Sequence, residues 1–313
     1  MGGRETTMKH VVSISLGSSS RDHVYETEIL GERFLIERRG TDGDMNRAIQ
    51  LIRELDGKVN ALGMGGIDLY VTAGGRKYPL RDAFRMAKAA KVTPIVDGSG
   101  LKDTLERRVV GFLVEELGID LADTTVLLVC AVARFGMAEA FAQRGARLIM
   151  GDLIFTLGIP FPIRTLATLR LLARILAPII TQLPIRMLYP IGREQERINS
   201  ADRYERFYRE ADIVAGDFHF IKKYMPARLD HKIILTNTVT AADVEMLRDR
   251  GASMLITTTP EMGGRSFGVN VVEAILVSIS GKHPDELTPQ DYEDLLDRVG
   301  FKPRVVRFGQ GGE

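Results

Sequence analysis

The chain has 313 residues, 45% hydrophobic and 27% charged, an ordinary globular composition with enough length for two domains. Its 42 basic and 41 acidic residues give a formal charge of +1, so the overall field gives no reason to expect nucleic acid or an anionic membrane as partner, and any charge-based function has to be local. One cysteine, Cys130, excludes an intramolecular disulfide framework and a cysteine-based zinc cluster.

The first ten residues are polar and lack the apolar run of a signal peptide, which with the single cysteine leads to a cytoplasmic expectation. The longest apolar stretch, residues 166–185, is interrupted by Arg170 and Arg174, so a membrane-spanning helix is not expected.

Residues 11–16, 25–30 and 33–37 are β-rich, with Gly31-Glu32 as a turn between the last two. From Asp44 the period changes: Met45, Ala48, Ile49, Ile52 and Leu55 recur at helical spacing, and Gly57 lies just past the end. A short apolar run at 59–62, a helix at about 80–90 and a run at 92–96 ending in Asp97-Gly98-Ser99-Gly100 predict strand, helix, strand in parallel pairing. Residues 1–118 are therefore expected to form a small α/β substrate domain that ends in a helix over about 102–117.

Beyond Gly118, residues 125–130 read as a buried strand, 136–144 as a helix and 146–150 as a second strand, a βαβ unit. Further strands at 213–215, 233–236 and 254–257 complete one mostly parallel sheet. The expected fold class is α/β: a doubly wound, Rossmann-like domain over 119–280, preceded by the smaller α/β domain and followed by a helical segment and tail over 281–313.

In a dinucleotide fold the glycines after the first strand permit a tight turn and backbone approach to the pyrophosphate, and the helix N-terminus adds partial positive charge. The matching residues are Ala131, Val132, Ala133, Arg134, Phe135 and Gly136, so two of the three glycines are alanines, and a methyl at Ala133 pushes the pyrophosphate outward or widens the turn. Asp152 follows the second strand, where a carboxylate can accept both hydrogen bonds from an adenosine ribose and repels a 2′-phosphate. NAD is the expected cofactor, in preference to NADP; a cofactor-free domain with Asp152 capping a turn is the other reading.

Several strings, in this order along most of the chain, resemble the bacterial quinate/shikimate 5-dehydrogenases. They are Gly40-Thr41-Asp42-Gly43-Asp44, Leu62-Gly63-Met64-Gly65-Gly66-Ile67-Asp68, Val96-Asp97-Gly98-Ser99-Gly100-Leu101-Lys102, Gly151-Asp152-Leu153-Ile154-Phe155 and Thr257-Thr258-Thr259-Pro260. The resemblance implies an NAD-dependent oxidoreductase in which a small substrate domain precedes the nicotinamide domain and a lysine and an aspartate serve the substrate hydroxyl. The family's lysine follows an Asn-Val-Thr stretch; here Lys77 follows Val71-Thr72-Ala73, and neither that string nor the one around Asp97 or Asp103 matches the family's.

Hydride transfer from an alcohol needs a base or relay beside the hydroxyl, and the cofactor supplies the redox step. Lys77, Asp68 and Asp97 are the catalytic candidates, each on or beside a glycine loop at a strand end, with a solvated lysine and turn-forming aspartates as the plainer alternatives. His219, next to Asp217 and Phe218, is a possible proton relay near neutral pH. Thr257 and Thr258 are expected beside the nicotinamide. The five histidines show no paired ligand spacing, so no metal is expected, and Cys130 reads as a core residue.

Residues 159–191 fit the simplest nucleotide fold poorly: Ile163, Leu166, Leu169, Leu172, Ile175, Leu176, Ile179 and Ile180 make an apolar helix broken by Pro178 and Pro184. It is expected to pack or dimerise, with a hydrophobic substrate or a lipid surface as the alternative. The function expected is oxidation of an alcohol on a small hydroxylated carboxylic acid by NAD, in a homo-oligomer. The alternatives are a nicotinamide-linked reductase of an acyl or lipid-like substrate and a non-catalytic dinucleotide-binding protein.

Overall fold

The computed structural model describes residues 8–73, 76–182 and 202–309. The N-terminal sheet contains β1 (Lys9–Ser15), β2 (His23–Ile29), β3 (Glu32–Gly40), β4 (Ala61–Gly65) and, beyond the hairpin of β5 (Tyr70–Ala73) and β6 (Arg76–Pro79), β7 (Ile95–Val96). Its order is β2-β3-β1-β4-β7, parallel except for the β2–β3 hairpin.

Alternation along β1 decides what covers each face. Val12 and Ile14 pack with Leu62, Met64, Ala48 and Ile52 under the helices Met45–Leu55 and Arg81–Ala87. Val11 packs with Phe34, Ile36 and Ala61 against Val271, Ala274 and Ile275 of the helix Val269–Ser280. Each fully buried aliphatic here contributes about 1.5–3 kcal/mol relative to an exposed one. Asp44 starts the helix Met45–Leu55 by accepting from Arg47 N, satisfying one of its orphan donors.

The second sheet comprises β8 (Thr125–Leu128), β9 (Arg147–Met150), β10 (Ile213–Ala215), β11 (Ile233–Thr236) and β12 (Met254–Thr257). Beyond the short ribbon of β13 (Glu261–Met262) and β14 (Arg265–Ser266), β15 (Arg304–Arg307) completes it. The order is β15-β12-β11-β10-β8-β9, parallel except at β15. Every residue of β8 is buried, as expected for a parallel strand covered on both faces. Leu127, Val214 and Ile234 face Tyr208, Phe218 and Ile221, whereas Val126, Leu128 and Ile213 face Val109, Met137 and Phe141.

The molecule is thus an α/β fold with mixed, mostly parallel sheets in two domains. Counted within its own domain, the second sheet runs 2-1-3-4-5 and ends in an antiparallel sixth strand, an order distinct from the 3-2-1-4-5-6 of the dinucleotide fold. The helix Val269–Ser280, expected within the nucleotide domain, covers the first sheet, and the segment expected as a terminal helix and tail returns to the second sheet as β15. The chain therefore passes between the sheets at 97–125, 257–269 and 280–304.

The helix Ser99–Glu115 makes the first passage. It begins at Gly98, where φ is +98° and where a Cβ would stand 2.9 Å from Asn270 N, so backbone conformation and close approach both call for glycine. The apolar segment forms the helix Leu166–Ile180, with Pro178 inside it; Leu169, Ala173 and Ala177 are buried while Leu171 and Ile175 are exposed. Pro184 and the rest of that segment to 191 lie outside the described residues.

Candidate functional site

A cleft of about 530 Å³ lies between the two sheets. Both sheets aim carboxyl ends of their strands at it, and in both the strand order reverses there: β1 sits between β3 and β4, and β8 between β9 and β10. Open α/β sheets place ligands at such switch points because the loops on either side part and leave a crevice.

The centre of the cleft holds charged groups from both domains. Lys102 Nζ donates to Asp68 Oδ2 at 3.0 Å, the lysine from the helix Ser99–Glu115 and the aspartate from the loop after β4. Burial pulls the Lys102 pKa down, but the Asp68 and Glu106 carboxylates outweigh it, so the ammonium titrates above its usual value and is charged at neutral pH. One helical turn on, Glu106 accepts from Arg134 Nη1 at 2.8 Å, and Arg134 Nη2 stands 3.6 Å from Asp217. Burial raises the Glu106 pKa against the pull of Arg134 and Lys102.

One end of the cleft is basic. Arg38 donates to Ser18 O, Asp22 Oδ1 and Ser15 Oγ, and Arg21 Nη1 lies 3.4 Å from His219 Nδ1. Asn237, Thr238, Ser13 and Asn270 line the space between, with Asn270 Nδ2 donating to Ser13 Oγ at 2.6 Å. Part of the lining is apolar, made of Val132, Ile163, Leu169, Leu172 and Leu176.

Of the catalytic candidates, Asp68 and Asp97 line the cleft and Lys77 does not. Lys77 is exposed on β6, paired with Thr72, its ammonium 5.4 Å from the Tyr70 ring centre. Asp97 is committed to the chain itself: Oδ2 accepts from Leu69 N, and Oδ1 from Ser99 N and Oγ.

Val132, Ala133, Arg134, Phe135 and Gly136 line the cleft, while Ala131 is buried behind them. Asp152, placed to grip a ribose, instead accepts from Ala131 N at 3.0 Å and Val132 N at 2.9 Å, capping the turn's own amides. Burial outweighs those bonds and pushes its pKa up to about 6. A Cβ at Gly136 would overlap Asp103 Oδ1, so this glycine serves the packing of two helices.

Thr257 and Thr258 are also buried away from the cleft. Thr257 Oγ1 donates to Thr259 O at 2.6 Å and lies 3.0 Å from Ser266 Oγ, bracing the chain after β12. His219 is neutral at neutral pH, since burial first and Arg21 second press its pKa down to about 4. Burial pushes the Cys130 thiol up to about 12, which leaves it a core residue. Among the described residues no group of acidic, His or Cys side chains could hold a metal ion.

Sequence reading passed over Lys102, Arg21, Arg38, Asn237 and Asn270. Lys102 follows the Asp97-Gly98-Ser99-Gly100 turn, and Arg21 closes the Gly17-Ser18-Ser19-Ser20 loop after β1, two polar loops at strand ends that carried a usable signal.

These features define a two-domain α/β protein with a polar cleft between its sheets. The chain belongs to the family described as a domain of unknown function, DUF8754, whose model matches residues 100–308; a second model, DUF8753, also a domain of unknown function, matches residues 10–97. No curated protein matches.

Among solved structures, a galactofuranose-binding protein is 14% identical with a TM-score of 0.35, over 93% of this chain and 98% of its own. The periplasmic binding protein component of the arabinose ABC transporter from Shewanella sp. ANA-3 is 10% identical with a TM-score of 0.34, over 93% and 96%. A 5-methylthioribose transporter solute-binding protein from Thermotoga lettingae TMO is 11% identical with a TM-score of 0.37, over 95% and 85%.

The expected membership in the quinate/shikimate dehydrogenases is corrected by these findings. The matching families are of unknown function and no curated protein matches, so neither comparison places the chain among those dehydrogenases. The NAD-dependent oxidation, the dehydrogenase assignment and the acyl-reductase alternative fall with it. The cytoplasmic expectation is withdrawn as well; among the described residues no helix is long and apolar enough to cross a membrane.

Proposed function

We propose that the chain is a binding protein for a small polyhydroxylated molecule held in the cleft between its sheets. The observation that carries this reading is the Asp68–Lys102 pair, which joins both domains at 3.0 Å and lines the cleft. A hydroxyl both donates and accepts, so adjacent hydroxyls are matched by a carboxylate beside an ammonium or amide, and Asp68, Lys102, Asn237 and Asn270 supply that mixture. The apolar wall of Val132, Leu169, Leu172 and Leu176 suits the C–H face of a ring. A cleft of about 530 Å³ is within the usual range for small-molecule sites.

Thermal unfolding with a panel of neutral sugars and cyclic polyols tests the reading. A ligand at 100 times its Kd should stabilise by about 2.7 kcal/mol, and Lys102→Met should cut that shift by about half or more. No shift with any member at millimolar concentration would overturn it.

NAD is a second occupant to test as a ligand, because Val132 to Gly136 line the same cleft. With Asp152 holding the amides of Ala131 and Val132, its pyrophosphate would have to be bound by other groups.

A further inference from the structure

We infer that the basic end of the cleft, formed by Arg21 and Arg38 with Arg265 behind them, is a subsite for the phosphoryl group of a phosphorylated polyol. The inference rests on the binding reading above and names the anionic group that its ligand carries.

The three guanidinium groups are almost wholly buried, Arg21 at 7% exposure, Arg38 at 9% and Arg265 at 5%. Arginine is rarely buried so deeply unless its charge is met. Arg265 Nη1 donates to the main-chain oxygen of Arg21, which ties the two together, yet Arg265 Nε and Nη2 are buried without a hydrogen-bond partner among the described residues. Arg21 and Arg38 themselves line the cleft.

The acids nearby do not balance these charges. Asp22 pairs with Arg38 at 2.9 Å and is itself partly in solvent. Asp243 is shared between Lys222 at 2.9 Å and Arg21 at 3.6 Å while it also caps a helix through Thr240. Asp42, next in range, accepts from Ser19 N and Oγ. Arg21, Arg38, Arg265 and Lys222 therefore face the carboxylates of Asp22, Asp243 and, acting on Arg38, Asp42, four cations to three anions, while Asp217 is shared with Arg134 and the neutral His219 adds no charge. Burial, followed by repulsion from the neighbouring arginines, brings Arg38 and Arg265 each down to about 10.

An oxyanion relieves that repulsion. Arginine forks bind phosphate through parallel N–H···O bonds, and a phosphate monoester carries about −1.5 to −2 charges at pH 7 with three acceptor oxygens, against −1 and two for a carboxylate. The surroundings add donors. Because an arginine can only donate, Arg21 fixes His219 Nδ1 as acceptor and leaves the proton on Nε2; Ser15 Oγ stands beside Arg38.

The test uses the full chain with inorganic phosphate, glucose 6-phosphate, glucose and gluconate, followed by thermal unfolding and by 31P line broadening for the phosphates. Phosphate and glucose 6-phosphate are expected to bind, chloride at equal ionic strength not to compete, and Arg21→Lys and Arg38→Gln to weaken phosphate at least tenfold. Should either variant not fold, competition between phosphate and glucose 6-phosphate on the unaltered protein supplies the decision, and additive binding counts against the subsite. Neutral sugar that binds as well as its phosphate ester overturns the subsite and leaves the binding reading standing. Phosphate binding without any contribution from the sugar does the reverse. Gluconate binding tighter than glucose 6-phosphate, or phosphate binding unchanged in both variants, also overturns the inference.

Discussion

Lys102 Nζ and Asp68 Oδ2 meet at 3.0 Å although their residues lie 34 positions apart, one on the helix that leads into the second domain and one on a loop of the first. Asp68 is 39% exposed and Lys102 20%, so the pair is partly solvated and contributes little to stability, about 0–1 kcal/mol. Its groups are nonetheless held where a ligand must pass.

Lys102→Met should therefore separate binding from folding. The unfolding free energy from urea titration is expected to change by less than about 1 kcal/mol, while affinity for the cleft's ligand falls tenfold or more, since losing one charged hydrogen bond costs about 1.5–3 kcal/mol. A variant that unfolds much earlier would mean that the lysine mainly holds the Glu106–Arg134 network together.

Gly98→Ala addresses the passage between the domains. The residue has a φ of +98°, and its added carbon would press on the backbone of Asn270, which cannot swing aside as a side chain can. A loss of at least about 2 kcal/mol is expected in urea unfolding. Gly118→Ala, with φ +66° but open space around it, should cost only the left-handed conformation, about 1–2 kcal/mol.

How far such features could be read in advance depended on whether their cause was local. The helix Met45–Leu55 was legible because its period and its Asp44 cap lie within a dozen residues, and β8 because a strand covered on both faces is an unbroken apolar run. The helix Val269–Ser280 is buried along nearly all its length, and nothing in such a segment says which sheet it covers. Arg38 reaches the cleft because β3 pairs with β1 in a register that sets Ser13 opposite it, a long-range fact with no sequence period. Lys77 looked like the lysine of a site because it follows a glycine loop; the hairpin β5–β6 turns it outward, and Lys102 occupies the cleft instead.

Asp152→Asn distinguishes a capping role from a ribose-binding one. The carboxylate accepts from two amides, and an asparagine has one acceptor oxygen to offer them. With no nucleotide present, the variant gives up one amide hydrogen bond, about 1 kcal/mol, but is relieved of the buried charge that raises the carboxyl's pKa to about 6, so in urea unfolding it should gain stability relative to the unaltered chain as pH rises from 5 to 8. Unchanged stability together with lost NAD binding would instead assign the side chain to a ligand.

Glu273 gives the protein a pH dependence with a defined sign. It lies 3% exposed under the start of the helix Ser99–Glu115, with Oε1 accepting from Tyr292 Oη at 2.8 Å and Oε2 buried without a hydrogen-bond partner among the described residues. Burial and, after it, the Asp97 charge raise its pKa to about 7, against the pull of hydrogen bonds from Tyr292, Gly98 and Gly100. The folded protein therefore holds a proton that the unfolded chain, at about 4.5, releases. The stability linked to that proton is full below pH 4.5 and is lost as pH rises through 7. Asp152, raised to about 6, adds loss in the same direction, whereas His219, lowered to about 4, adds stability as pH rises from 4 to 6.5, so the total slope mixes all three. The comparison of Glu273→Gln with the unaltered chain isolates one of them. At pH 5 the two should be similar; at pH 8 the variant should be the more stable, by up to about 3 kcal/mol. Parallel stability curves between pH 5 and 8 would show that this carboxyl keeps an ordinary pKa in the fold.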